Sequence, residues 1–198
     1  MTMKKSAFAF FATTALAVAS TAALADDVKV GNLVDFTGRT AVVGKVFGQS
    51  KVDTAKYINA HGGVNGKMID LDTFDYSYEV PRAISQYKKW KQDGVVAIQG
   101  WGTGDTEAMV GFVAADEMPY YSASYSAHLT DPMAKSPDTK KPAPYNFFAA
   151  PSYSDGARAL IQWAKADWEA KGNKGKPKYV HMGDNHPYPN APKKAGEV

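Results

Sequence analysis

No cysteine occurs among the 198 residues, which excludes disulfides, thiolate metal sites and cysteine nucleophiles. It also excludes the modified cysteine that a bacterial lipoprotein carries at its cleavage point. No run of five residues is basic, so neither a polybasic membrane patch nor a nucleic-acid partner is expected. Beyond residue 25 no apolar run approaches the roughly 20 residues that span a bilayer. Several chemical signatures are missing too. Trp101–Thr106 contains Gly-x-Gly but lacks the third glycine of a dinucleotide fingerprint and the Gly-Lys-Ser/Thr of a phosphate loop. There is no Gly-x-Ser-x-Gly elbow for a serine hydrolase. His181, Asp184 and His186 cluster in sequence, but their spacing fits no common metal-ligand motif. No enzyme, cofactor or metal is expected.

What is present begins with an export signal over residues 1–25. Lys4 and Lys5 make its charged start, residues 7–19 its apolar core, and Ala23-Leu24-Ala25 its cleavage site. Both lysines leave with it and take two of the three excess positive charges. A soluble exported protein is the expectation, located in the periplasm.

The following residues alternate between two hydrophobic periods. Residues 28–34 and 68–74 read as strands; residues 43–59 read as a helix with Val43, Phe47, Ala55 and Ile58 inward. Residues 79–91 form a second helix with Val80, Ile84, Tyr87 and either Trp90 or Lys91 on its face. Residues 95–98, VVAI, are continuously apolar, as a covered parallel strand is. A helix over 106–117 turns Met109, Val110 and Val113 inward, and a strand covers 119–122. This spacing predicts an α/β fold with a parallel sheet. Residues 128–144 hold Pro132, Pro137, Pro142 and Pro144 and read as a surface loop. A strand at 145–150 and a helix with Ala157, Leu160, Ile161, Ala164 and Trp168 on one face come next. A strand over 178–182 and a loop over 183–192 complete the pattern.

Residues 95–126 are the candidate site. In an open α/β sheet, ligands bind outside the carboxyl ends of the strands, where turns meet helix N-termini. Here those turns are WGTGDT and SASYS.

The order KVGNLVDFTG, AKYINAHGGVNGKMIDLDTFD, KKWKQDGVVAIQG and ADEMPYYSAS closely resembles the leucine/isoleucine/valine-binding type of periplasmic solute-binding protein. The resemblance covers nearly all of residues 26–198. It implies the type I periplasmic-binding fold: two α/β lobes that close on a small molecule. Members of that family are about twice this length, so residues 26–148 are expected to form the first lobe and 149–198 the start of a second, as in a fragment, with weak or no binding. The implied role is the binding component of an ABC importer, working with an inner-membrane permease and ATPase. A periplasmic ligand sensor of the same fold is the alternative.

The resemblance also implies a ligand site. The turn after the third strand would hold a carboxylate, with Gly104, Asp105 and Thr106 where the family has small and hydroxyl residues. Asp105 departs from that pattern. It is expected either as a helix N-cap accepting from the Glu107 or Ala108 amide, or as a contact to a ligand hydroxyl, amide or ammonium. Trp101 either packs on a neighbouring element or lines the cleft. Ser124 and Ser126 would contact the ligand through backbone and hydroxyl, and Tyr125 would narrow the pocket or stack on a ring. Tyr188 would close over from the second lobe. The expected solute is a small amino acid, amide or aromatic acid, bulkier or more polar than leucine.

Overall fold

A computed structural model describes residues 26–135, 139 and 141–197. The export signal and Pro137 lie outside the described residues. Five strands form one parallel sheet in the order β2-β1-β3-β4-β5, from β1 (Val28–Val34), β2 (Ile69–Asp75), β3 (Ala97–Gln99), β4 (Tyr120–Tyr121) and β5 (Asn146–Phe147). Strand order reverses between β2 and β3, on either side of β1. Such a reversal opens a crevice at the carboxyl edge of the sheet.

Helix α1 (Ala41–Ala60) covers β1 and β2 on one face of the sheet. Its buried positions are Gly44, Gly48 and Ala55, while Val43 is 62% exposed. The expected inward face of Val43 and Phe47 is therefore displaced. A Cβ on Gly44 would stand 2.2 Å from the Asp35 carbonyl oxygen, and one on Gly48 would stand 2.6 Å from the Phe36 ring. The helix approaches β1 too closely for larger side chains, so glycines set the buried face.

Helices α2 (Val80–Gln92) and α3 (Thr103–Ala115) pack together on the other face. Leu33, Tyr76, Ala83, Tyr87, Trp90, Ile98, Met109, Val113 and Tyr120 form the main core beneath them. Trp90, not Lys91, is the inward residue, and its indole N–H donates to Asp72 Oδ2 at 2.7 Å. Val110 joins Leu129 and Ala143 in a second, smaller core. The proline-rich stretch is thus more than surface loop: Leu129 sits in a 3-10 turn over Ala127–Thr130 and is fully buried.

Helix α4 (Tyr153–Ala170) begins at Ser152, whose hydroxyl accepts from the Asp155 amide. Its expected inward stripe lacks a covering layer: Leu160 is 59% exposed, and Ser154 is the buried residue of the helix. Residues 178–182 form no strand; Val180 and Met182 are 74% and 87% exposed. A one-turn helix α5 (Pro187–Asn190) and a 3-10 turn (Lys193–Gly196) follow, the latter packed on α4. No helix among the described residues is long and apolar enough to cross a membrane.

Candidate functional site

At the carboxyl edge of the sheet, the turn between β3 and α3 meets the loop after β4. Gly102 caps α3, and Asp105 stands at the third helical position, where its Oδ2 accepts the Gly102 amide at 3.2 Å. The helix therefore starts three residues before the predicted Thr106. Asp105 Oδ1 accepts from the Tyr76 hydroxyl at 2.6 Å, and Oδ2 also faces the Tyr120 hydroxyl at 3.4 Å. Burial pushes the Asp105 carboxyl up to about 7, against the hydrogen bonds from Tyr76, Gly102 and Tyr120 that hold it down. Beside it, burial lowers Lys51 to about 7, while the charge of Asp105 acts to raise it. Lys51 Nζ donates to the carbonyls of Leu33 and Gly100, tying the ends of β1 and β3 together. In this arrangement Asp105 braces the turn from the core side, as an N3 carboxylate accepting the N-cap amide rather than as the N-cap itself.

Thr106 Oγ1 donates to the Gly102 carbonyl at 2.6 Å and lies 3.0 Å from Ser122 Oγ. Ser124 Oγ donates to Thr103 Oγ1 at 2.8 Å. Thr103 is a hub that sequence reasoning missed. The Tyr78 hydroxyl accepts its amide, and the Tyr153 hydroxyl meets both Thr103 and Ser124. Desolvation raises Tyr78 to about 12 and also raises Tyr153. Tyr78 reaches this position because Ser77 and Tyr78 both take positive φ, a rare conformation for residues other than glycine. No glycine marks that bend in the sequence. Tyr153 had a readable signal: it follows Ser152 in a Ser-x-x-Asp helix start.

Trp101 packs. Its indole donates to Thr40 Oγ1 at 2.9 Å, and its ring lies 5.0 Å from that of Phe47. Tyr125 stands edge-on to Phe148 and Tyr153, with centroids 5.9 and 5.6 Å away. Tyr188 is edge-on to Tyr153 at 5.3 Å. Tyr125, Tyr153 and Tyr188 thus form an aromatic joint between the sheet edge and the residues after 149. A Cβ on Gly104 would lie 3.4 Å from His186 Nε2, so His186 sits over the start of α3.

Alongside this joint is a cavity of about 1000 Å³, lined by Glu107, Ser126 and His128 on one side and by residues 152–158 and 185–197 on the other. Of the eight predicted site residues, Ser126 lines it; Trp101, Gly104, Asp105, Thr106, Ser124, Tyr125 and Tyr188 do not. Ser126 Oγ donates to Glu107 Oε1 at 2.8 Å and lies 3.3 Å from His128 Nδ1. His128 Nε2 is 3.3 Å from Glu107 Oε1. Glu107 and His128 were not predicted; nothing in residues 104–109 or 127–130 separates them from surface charge on a helix. Among the described residues, no group of three His, Asp or Glu is placed to hold a metal ion. Asp184 instead faces Arg39 at 3.9 Å.

Residues 27–197 match a family model described as periplasmic binding protein. A search of the curated proteins finds no match. Among solved structures, an ABC transporter substrate-binding protein from Aeropyrum pernix is 30% identical, with a TM-score of 0.68 over 87% of this chain and 44% of that one. A branched-chain amino acid ABC transporter protein from Thermus thermophilus, with bound valine, is 20% identical, with a TM-score of 0.71 over 86% and 41%. A substrate-binding protein from Desulfitobacterium hafniense, in complex with Leu, is 19% identical, with a TM-score of 0.64 over 86% and 46%. The chain therefore spans less than half the length of these structures and shares their type I periplasmic-binding fold.

Proposed function

The chain belongs to the periplasmic binding protein family, and on that premise we propose that it is the solute-binding component of an ABC importer, working outside the cytoplasm. Its partners are then an inner-membrane permease and ATPase. The solute is a small amino acid, amide or aromatic acid. The observation that carries the reading is the cavity of about 1000 Å³ where the carboxyl edge of the sheet meets residues 152–158 and 185–197. That volume is at the upper end for small-molecule sites. It lies at the carboxyl edge of the sheet, the edge at which α/β sheets take ligands.

The same site argues for binding over turnover. Ser126 is 1% exposed and gives its proton to Glu107 at 2.8 Å rather than to the more distant His128. A hydroxyl so placed is poorly arranged for attack on a substrate. The two relatives crystallised with valine and with Leu support an amino-acid solute.

Calorimetric titration of residues 26–198 with aliphatic and aromatic amino acids, their amides and benzoate tests this. Saturable binding of one class, with the solute recovered unchanged, is the expected result. Conversion of the solute, or no saturable heat from any class, would contradict it.

A further inference from the structure

Helix α1 carries large apolar side chains on its outside. Gly44, Gly48 and Ala55 are its buried positions, while Val42, Val46 and Tyr57 point away from the sheet at 90%, 74% and 65% exposure. With Gln49 and Asp53, these three fall at helical spacing on one outward ridge. A groove of about 720 Å³ runs beside it, lined by Phe36, Lys45, Val46, Gln49, Ser50 and Asp53. No residue of α1 lines the cavity at the sheet edge, so solute binding does not account for the ridge. Single exposed valines are ordinary, but an apolar ridge adjoining a groove marks an interaction surface.

The charges along the ridge say what it fits. Lys45 and Asp53 stand one on each side of Gln49, each four residues away. Gln49 Nε2 donates to Asp53 Oδ1 at 2.9 Å and so orients that carboxylate. Lys45 has no ion pair among the described residues. Within one helix Lys45 and Asp53 are too far apart in sequence to meet. When a second α1 is turned end for end at Gln49, each Lys45 falls opposite an Asp53 and each Val42 opposite a Tyr57. Each Val46 then enters the other copy's groove. Such self-complementarity is what a two-fold interface requires.

We propose that this ridge is a self-association surface, on which two copies of the chain pack their α1 helices antiparallel across a two-fold axis at Gln49. At 20 residues α1 is about 30 Å long, and one helix pair buries less than the roughly 800 Å² per partner of a standard interface. The dimer is therefore weak and exchanging, with a dissociation constant on the order of 100 µM.

Sedimentation velocity of residues 26–198 without solute, from about 10 µM to about 1 mM, tests this. The sedimentation coefficient should rise from monomer to dimer and stop there, because a two-fold contact closes. Val46→Glu, which puts a carboxylate into the groove, should leave a monomer throughout. Asp53→Lys should weaken the dimer about tenfold by setting lysines opposite one another, and Lys45→Asp should do the same with carboxylates. The double exchange should restore it. Both charged side chains and Val46 are exposed, so the thermal midpoints of the monomers should hold. A monomer at every concentration overturns the proposal. So does association that Val46→Glu leaves intact, as it would be if the exposed stripe of α4 carried it. A double exchange that fails to restore the dimer overturns the antiparallel packing about Gln49. None of these results bears on the solute-binding reading.

Discussion

Helices α2 and α4 carry apolar stripes of the same period and meet different fates. In α2, Ala83, Tyr87 and Trp90 are buried against the sheet and α3, with Trp90 wholly removed from solvent. In α4, Leu160 and Trp163 are 59% and 64% exposed, and the stripe touches little besides the 3-10 turn at Lys193–Gly196. A periodic apolar face is thus necessary for a packed helix but not sufficient. It needs a second layer to lie on, and for α4 the strand expected at 178–182 does not form one.

The contrast breaks most severely at its packed end. Trp90→Ala removes the largest fully buried side chain and its bond to Asp72. Chemical denaturation should show a loss of about 3–5 kcal/mol. Gly48→Val drives methyl groups into Phe36 and Val34 and should cost about 1–3 kcal/mol by the same measurement. If Gly48→Val were neutral, the close approach of α1 to β1 would be wrong.

The buried pair at the sheet edge should show itself in pH dependence. With Asp105 raised to about 7, the folded state holds its proton more tightly than the unfolded chain between about pH 4 and 7, so stability falls as pH rises through that window. With Lys51 lowered to about 7, the unfolded chain holds the extra proton above pH 7, and stability rises again toward pH 10. Each limb has a slope of at most about 1.4 kcal/mol per pH unit. Asp105→Asn should flatten the lower limb. It should also carry the rising limb to lower pH, because Lys51 loses the charge that raises it. Denaturation midpoints from pH 4 to 10 would show both changes. An unchanged lower limb would mean that Asp105 does not titrate there.

At the unpacked end the effect should be smallest. Leu160→Ala is expected to change stability by less than about 0.5 kcal/mol. A larger loss would mean that the stripe of α4 is covered in solution.

The same contrast explains what was legible in the sequence. Strand β1 and the inward residues Met109, Val110 and Val113 could be read because period and burial agree there. The inward face of α1 could not. It is chosen by the close approach at Gly44 and Gly48, and small residues give no hydrophobic signal. Asp105 was readable as a capping residue but not as N3, because its partner Tyr76 lies 29 residues away across the fold. Tyr78 depends on a positive-φ bend without glycine. Glu107 and His128 acquire meaning only when the loop after β4 brings Ser126 between them. Of the eight residues predicted for the ligand site, Ser126 is the one that reaches the cavity.

Amide NMR of residues 26–198 titrated with L-leucine and L-phenylalanine tests the central claim most directly, since it asks where a solute binds. The account predicts saturable shifts at Glu107, Ser126, His128, Ser154 and Ala191, around the cavity, with the core at Ile98 and Trp90 undisturbed. Shifts confined to other surfaces, or none at these five residues, would contradict it.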